Sequence, residues 1–248
     1  MFENLLNPVL NPLLQSMHPL LFTILIAFIV SLIVIFVYKL MTDQDLMKQL
    51  KKEMKELQKE MKELKDNPDK MMKVQKKAME TNMKYMGKSL KPTFITFIPL
   101  IIIFGWMHAN LGFLPIMPEQ QFTVTAEFED YSGNIDLNVP EDLTIISNQT
   151  QKVIENEAIW TLKGKKGEYV IEYEFADQKY TQDLIISEKL NYAEPEKRID
   201  NSVLQKTVIN NKKLNVLNLG FMKLGWLGTY IIFSLIFSIS LRKIFKIA

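Results

Sequence analysis

Three long apolar segments constrain the fold of this chain more than any other feature of its sequence. The first covers residues 20–41, the second residues 92–117 and the third residues 221–245. Each is long enough for a helix to cross the roughly 30 Å of bilayer hydrocarbon, which takes about 20 residues. Backbone polar groups must be satisfied internally at that depth, which favours helices. The chain is therefore predicted to be an α-helical membrane protein with three transmembrane helices.

A cleaved signal peptide is the alternative interpretation of the first segment. Signal peptides begin with basic residues and end at a small-residue cleavage site. No Lys or Arg precedes Lys39 here, and no such site follows the segment. We therefore interpret it as a retained span.

Flanking charge predicts the orientation of the spans. Lys48, Lys51 and Lys52 follow the first span, and Arg242 and Lys243 close the third, whereas the residues before the first span carry no Lys or Arg. Basic residues accumulate on the cytoplasmic side of membrane proteins. The sequence thus predicts a multi-pass protein of the plasma membrane with an extracytoplasmic N-terminal segment, residues 1–19, and a cytoplasmic C-terminus.

Residues 42–91 are predicted to form a cytoplasmic antiparallel coiled-coil hairpin. Proline and Asn-Asp turn chemistry around Pro68 separates its two helices. Apolar residues alternate by three and four in the first helix, as in an a/d heptad seam: Met47, Leu50, Met54, Leu57, Met61 and Leu64. The second helix is expected to supply Met72, Met79, Met83, Met86 and Leu90 at compatible spacing, with Met71 and either Met83 or Met86 outside the strict seam.

Methionine is concentrated in this hairpin, with nine of the chain's 14 between Met41 and Met86. Leu or Ile would specify a coiled coil better, whereas flexible Met suits varied apolar partners. The alternative is that the seam is only a spacer core with a solvated charged face. The excess of Lys would attract anionic lipid headgroups or ribosomal RNA backbone without sequence preference.

Small or polar residues form one stripe on each span. Thr23, Ala27 and Ser31 share a face of the first, and Ser234, Ser238 and Arg242 share a face of the third. Gly105, His108, Ala109 and Gly112 share a face of the second. Such stripes indicate either ordinary small-residue packing between helices or a partly hydrated groove. His18 is the only other His and there is no Cys, so a metal site is not expected.

The apolar periodicity changes to two in residues 118–190, which predicts a small extracytoplasmic β-sandwich-like domain. Six or seven short strands are expected, among them residues 122–128, 135–139, 143–147, 158–162, 168–175 and 180–186. Asn148, Gln149 and Thr150 form a glycosylation sequon. Residues 191–220 are expected to be an amphipathic connector to the third span.

The order of these parts resembles the Oxa1/YidC/Alb3 membrane insertase superfamily, above all its archaeal DUF106 branch, which is similar to Get1 and EMC3. The resemblance covers residues 1–120 and 215–248 and rests on architecture. It implies an ATP-independent insertase or insertion chaperone, with nascent or tail-anchored membrane proteins as clients. The ribosome and other insertase subunits are implied as further partners.

The resemblance also implies which residues meet the client. The groove would comprise Thr23, Ser31, Thr96, His108, Ser234 and Ser238. The hairpin would contact client or ribosome through Met71, Met79, Met83 and Met86, with Lys39 at the inner end of the first span. Family members often place a basic residue well inside the groove, and Lys39 is the nearest substitute here.

Other functional classes stay open on the residues alone. One is a structural or signalling protein with an external β binding domain and a coiled-coil dimerising arm. A pore is less favoured because the stripes are too sparse for a continuous polar lining. An enzyme is least favoured, since no catalytic constellation is evident. Neither a cofactor nor specific nucleic-acid binding is expected.

Overall fold

The computed structural model describes residues 3–247, with side chains from Leu6 onward. Residues 1 and 2, the start of the expected N-terminal segment, and residue 248 lie outside the described residues. The chain divides into two compact units. The first contains Met1–Pro8, Met17–Gly105 and Leu227–Ala248, and the second contains Val9–Ser16 and Trp106–Trp226.

Five α-helices occur in the described residues: α1 (Glu3–Ser16), α2 (Pro19–Met41), α3 (Gln44–Glu63), α4 (Pro68–Leu111) and α5 (Trp226–Ile244). Three of them, α2, α4 and α5, are long and apolar enough to cross a membrane. Pro19 opens α2, where its missing N–H costs nothing, and His18 Nδ1 accepts a 3.2 Å hydrogen bond from the Leu20 amide. The prediction of three membrane helices is thus supported by the structure.

In the first unit α5 contacts both of the other spans. The ring of Phe28 on α2 lies 5.2 Å from that of Phe237, edge to face. The ring of Phe104 on α4 lies 4.8 Å from that of Tyr230, also edge to face. Such geometry matches the negative face of one ring with the positive edge of the other. These contacts join the three spans into one bundle.

Helix α3 begins at a well-formed cap. The Asp43 carboxylate accepts hydrogen bonds from the amides of Asp45 at 3.1 Å and Leu46 at 3.0 Å, which satisfies two donors of the first turn. The six expected seam residues of α3 are all buried or half-buried. After the turn, α4 returns alongside α3, with Lys77 Nζ 3.6 Å from a carboxylate oxygen of Glu53.

The predicted seam of the second helix differs from the observed one. The residues of α4 turned inward are Met71, Val74, Ala78, Thr81 and Tyr85, whereas Met72, Met79, Met83, Met86 and Leu90 are exposed. Met71, expected outside the seam, is half-buried within it. Both sets have heptad spacing, so periodicity does not choose between them. Small Ala78 and Thr81 allow close helix approach, which favours the observed set.

The second hairpin helix and the second span form one uninterrupted helix. Pro92 and Pro99 both lie inside α4. The Thr93 hydroxyl donates a 2.9 Å hydrogen bond to the Ser89 carbonyl, and the Thr96 hydroxyl donates one of 3.1 Å to the Pro92 carbonyl. The carbonyls that Pro92 and Pro99 leave without an amide donor are those of Lys88 and Ile95, so these hydroxyls reinforce neighbouring turns of the helix. At 1.5 Å per residue α4 is about 66 Å long.

Helix α4 ends at Leu111 rather than near Met117. Beyond it the chain pairs with residues 212–214 instead of continuing the helix. The Leu114 amide donates to the Lys212 carbonyl at 2.7 Å, and the Gly112 carbonyl accepts from the Leu214 amide at 3.0 Å. Composition could not place this end, because Leu114, Ile116 and Met117 are as apolar as the span.

The second unit contains two sheets and a short β-ribbon. Its strands are β1 (Phe122–Phe128), β2 (Asn134–Asn138), β3 (Leu143–Ile145), β4 (Thr150–Lys152), β5 (Glu157–Gly164), β6 (Gly167–Phe175), β7 (Gln178–Ile186), β8 (Glu196–Arg198), β9 (Leu204–Ile209), β10 (Leu217–Asn218) and β11 (Lys223–Leu224). One sheet has the order β3-β5-β1-β9-β8 and the other the order β4-β2-β6-β7. All their pairings are antiparallel.

The core of this β-rich region draws on both sheets. Trp160 of β5 and Tyr173 of β6 are fully buried, with ring centroids 5.8 Å apart. Ile135, Leu137, Leu162 and others complete the core. The alternation that predicted strands in residues 122–186 therefore corresponds to alternating burial.

The expected amphipathic connector of residues 191–220 instead contributes two strands to the larger sheet. β9 pairs with the central β1, and β8 forms the edge beyond it. A register irregularity at Glu127 and Phe128 disturbs the pairing of β1 with β9. Strand β8 is wholly exposed, so it has no apolar pattern. The third membrane helix begins at Trp226 rather than Phe221, since Lys223–Leu224 is strand β11.

Candidate functional site

A polar cavity lies between the three spans in the first unit. It measures about 230 Å³ and adjoins the arm formed by α3 and the α3-facing part of α4. Its lining comes from α2, α4 and α5: Val34, Tyr38, Tyr85, Ser89, Pro92, Thr93, Thr96 and Arg242. Hydroxyl groups and a guanidinium in one bundle cavity can bind a polar group that apolar packing would exclude.

Arg242 supplies the cationic group of this cavity. Its guanidinium carbon lies 5.2 Å from the centre of the Tyr38 ring, within cation–π range. Tyr38 is buried together with Met47 of α3, and Tyr85 of α4 packs against this pair. The arm therefore meets the membrane bundle at an aromatic cluster beside Arg242.

From the sequence, Lys39 was expected to replace the basic residue of the groove, and Arg242 was assigned only to the charged end of the third span. Lys39 is exposed, and its Nζ lies 5.7 Å from the centre of the Phe245 ring. The pattern that could have identified Arg242 was its place on the Ser234–Ser238 stripe. Tyr38, Tyr85, Ser89 and Thr93 were also missed, because the neighbours of a cavity on three helices are not readable from one helix.

The predicted groove residues occupy different environments. Thr96 lines the polar cavity. Thr23 and Ser31 are buried, with 0% and 6% of their surfaces exposed, and the Thr23 hydroxyl donates to the Pro19 carbonyl at 2.9 Å. A client could touch these two only if α2 moved away from its neighbours. Helix packing accounts for the α2 stripe in this conformation.

The remaining groove residues are more accessible. Ser234 and Ser238 are half-buried on α5, and the Ser234 hydroxyl donates to the Ile231 carbonyl at 3.0 Å. His108 belongs to the second unit, is exposed, and has its ring 6.4 Å from that of Trp226. Among the described residues no cluster of His, Cys, Asp or Glu suits a metal ion.

The methionines of α4 extend a longer exposed apolar track. Met79, Met83 and Met86 are 62%, 67% and 49% exposed. Ile95 and Ile98 are exposed on another face of α4, but eight other exposed apolar residues lie within about 40° of one line at 3.6 residues per turn. In order along the helix they are Met72, Met79, Met83, Met86, Leu90, Phe94, Phe97 and Ile101. We call this surface the apolar track; exposed Lys76 lies on it between Met72 and Met79, and from Met79 it continues into the span.

Comparison with known proteins identifies the chain at the family level. The family model for integral membrane proteins described as EMC3/TMCO1-like matches residues 6–149, more than half of the chain. No curated protein and no solved structure matched it. The matched range contains α2, the arm, all of α4 and the first strands, but not α5. The chain belongs to the EMC3/TMCO1-like family of integral membrane proteins, within the Oxa1/YidC/Get1 insertase-related group.

Proposed function

We propose that the chain is a membrane protein insertase or insertion chaperone. The observation that carries the proposal is the apolar track, which joins an exposed Met-rich surface on the arm to exposed Phe94, Phe97 and Ile101 in the apolar part of the same helix. A hydrophobic client segment that leaves the arm meets apolar contacts along the whole way into the bilayer. It therefore need not expose its apolar surface to water again. Membership of an insertase-type family supports this role.

The polar cavity has the second role in this proposal. A client with a short polar terminus must bring that terminus into hydrocarbon, which costs several kcal/mol if its polar groups stay unpaired. Ser89, Thr93 and Thr96 offer hydrogen bonds, and Arg242 offers charge. We propose that Arg242 attracts acidic groups of the terminus, and that Ser234 and Ser238 extend its polar surroundings. Thr23 and Ser31 would take part only when the helices separate, whereas His108 is already exposed.

We further propose the orientation and outline of the protein. Arg242 and Lys39 lie at the end of the bundle next to α3, so the basic ends of α2 and α5 and the arm are on one side. The charge bias supports a cytoplasmic arm and C-terminus in the plasma membrane. In this proposal the arm is an antiparallel coiled coil, and the two sheets form an extracytoplasmic sandwich. Lys39 and the four predicted Met residues, Met71 among them, would approach client or ribosome.

The signalling alternative requires a dimerising arm, and burial within the chain argues against the seam as its interface. Met47 is fully buried against Tyr38, and Leu50 and Leu57 are buried as well. A dimer through these residues would have to open the arm. The apolar track that carries the client-transfer role is already exposed.

Photo-crosslinking during synthesis of a single-span client tests the proposal. A photoreactive residue at Met83, Met86 or Phe94 is expected to form client adducts, with the Phe94 adduct appearing last. Lys88 is the matched control, because it is exposed on the same helix but lies on another face. Client adducts of equal yield at Lys88, or none along the track, would reject the proposal. Comparing adducts of ribosome-bound clients with those of released clients distinguishes co-translational from post-translational capture.

The cavity role has its own test. Arg242→Gln is expected to lower insertion of a client with an acidic translocated end more than that of a client with a neutral end. Lys59→Gln removes an exposed charge of the arm and should affect both clients equally. Equal loss of both clients in Arg242→Gln would contradict the electrostatic role of Arg242.

A further inference from the structure

A second cavity in the first unit is lined almost wholly by basic side chains. It measures about 450 Å³ and lies between α3 and the carboxyl-terminal end of α5. Seven basic residues and one apolar residue line it: Lys48, Lys51, Lys52, Lys55, Arg242, Lys243, Lys246 and Ile247. No carboxylate is among these described residues. Two elements far apart in the sequence are thus folded so that their positive charges converge.

The protein itself neutralises little of this charge. Lys48 lies 3.8 Å from Asp45 and Lys52 lies 3.9 Å from Glu56, both pairs being exposed neighbours on one helix. Such surface pairs contribute little. Lys51, Lys55, Lys243 and Lys246 have no ion-pair partner within the part of the chain that the structure describes. Like charges held this close repel one another, so an anion in the cavity would be stabilised.

A separate apolar cavity is lined by α2 and by one residue of the same C-terminal segment. It measures about 580 Å³. Its lining is aliphatic and aromatic apart from one residue, Lys39: Leu32, Ile33, Ile35, Phe36, Lys39, Leu40 and Phe245. Phe245 lines this cavity, and the next two residues, Lys246 and Ile247, line the basic one. All of this lining except Phe245 belongs to α2, which is long and apolar enough to cross a membrane, so we place the cavity at the depth of lipid chains.

The geometry points to a binding site for an anionic phospholipid. Its headgroup phosphate lies in the basic cavity, and one acyl chain lies along the apolar cavity beside Phe245. Free phosphate or RNA would fill the basic cavity but would leave the adjoining apolar cavity unused. A lipid uses both, and Lys39 at the rim can interact with the glycerol-ester region. The site goes beyond client transfer and requires only that α2 and α5 lie in a bilayer.

Lipid retention by the full-length protein tests this site. The protein is purified in a neutral detergent, and native mass spectrometry measures its binding of phosphatidylglycerol and phosphatidylcholine with identical acyl chains. We expect phosphatidylglycerol to bind at least tenfold more tightly. The quadruple variant K51Q/K55Q/K243Q/K246Q should lose that preference. A Lys→Arg variant at the same four positions keeps the charge and should retain it.

A variant with the same charge change elsewhere is the matched control. K59Q/K62Q/K73Q/K76Q alters four arm lysines outside the cavity and should retain the preference. Equal loss in this control would show non-specific charge attraction and overturn the site. Equal binding of both lipids by the wild-type protein would also overturn it, as would strong competition by glycerol phosphate, which has no chains.

RNA provides the remaining competing outcome. If the cavity variant lost binding of a 20-nucleotide RNA but kept phosphatidylglycerol, the cavity would be a nucleic-acid contact and the lipid site would be overturned. The thermal unfolding of each variant is measured as well. If it is unchanged, a loss of binding does not result from a loss of folding. Insertion of a client is measured separately on the same proteins, so failure of the lipid site and failure of the insertase role give different results.

Discussion

The hydroxyl of Tyr192 lies 2.8 Å from the backbone nitrogen of Gly112 and accepts a hydrogen bond from it, directly after the last residue of α4. The same hydroxyl donates to the His108 carbonyl at 3.4 Å. Gly112 and His108 are the pair that would form the next hydrogen bond of an α-helix. A Cβ at position 112 would lie 2.9 Å from the His108 carbonyl oxygen. Tyr192 thus caps α4 where the membrane helix gives way to the β-rich region.

We expect Tyr192→Phe to lower the free energy of unfolding by about 1 kcal/mol, because it removes one bridging hydrogen-bond group. Chemical denaturation of the full chain in detergent, followed by Trp fluorescence, measures the change. Tyr131→Phe is the control, since its hydroxyl makes only a 3.4 Å bond to the Asn134 carbonyl. Equal effects of the two substitutions would contradict a capping role.

Alkaline pH should destabilise the β-rich region through buried tyrosines. Burial raises the pKa of Tyr173 far above its ordinary value. Burial also raises the pKa of Tyr192, although the Gly112 and Phe113 amides act in the opposite direction. A raised folded-state pKa means that the stabilisation is complete below the unfolded-state pKa of about 10 and is lost as pH rises towards the folded-state value.

Unfolding free energies measured between pH 8 and pH 11.5, about the range in which tyrosine titrates, check this prediction. The decline should be shallower in Tyr173→Phe than in the wild-type protein. Lys179 also has a raised pKa, from its hydrogen bond with Glu172, and adds to the decline in both proteins. An unchanged slope in Tyr173→Phe would show that the phenol does not contribute.

Two buried threonines of one sheet offer a test of hydrogen-bond satisfaction. Thr207 of β9 is buried, and its hydroxyl has no partner within the described residues. Burial of an unpaired hydroxyl costs about 1–3 kcal/mol. Replacement by the similarly shaped Val should therefore raise the free energy of unfolding by about 1 kcal/mol.

Thr125 of β1 is the matched control. It is also buried, but its hydroxyl accepts a 3.0 Å hydrogen bond from the Asn210 side chain. Thr125→Val should destabilise the protein, so the two identical substitutions are expected to have opposite signs. The same denaturation measurement compares them. Two changes of the same sign would contradict the assigned difference in pairing.

Local patterns in the sequence predicted those helices and strands in which the buried residues recur at the helical or strand spacing. The span at α2, the seam of α3 and the alternation of β1 all repeat at the spacing of their own secondary structure. Three features could not be predicted in the same way: which face of α4 is buried, where α4 ends, and the existence of strand β9. Each depends on a distant partner: α3 for the seam, Tyr192 for the helix end, and β1 for the strand.

The candidate site shows the same division. Met79, Met83 and Met86 could be singled out because methionine is unusual for a coiled coil. Their exposure, however, depends on which face of α4 meets α3. Arg242 was visible on its stripe, but its place in a cavity with Tyr38 and Tyr85 depends on three helices meeting. The residue types of the candidate site could thus be predicted from the sequence. Which of these residues lie next to one another could not, because that depends on how the helices pack.

The apolar track makes a last prediction about capture. Met79→Gln, Met83→Gln and Met86→Gln combined should weaken client capture at least about tenfold, because burial of each Met side chain contributes about 1.5–3 kcal/mol. Thermal unfolding should change little, since all three side chains are exposed. The triple Leu variant keeps apolar area and should retain capture of a strongly hydrophobic client. Because Met adapts better than Leu to differently shaped partners, the Leu variant should fall behind the wild type for clients rich in β-branched residues. Crosslinking yield across a panel of such clients measures both effects, and equal capture by the Gln variant would show that the client binds elsewhere on the arm.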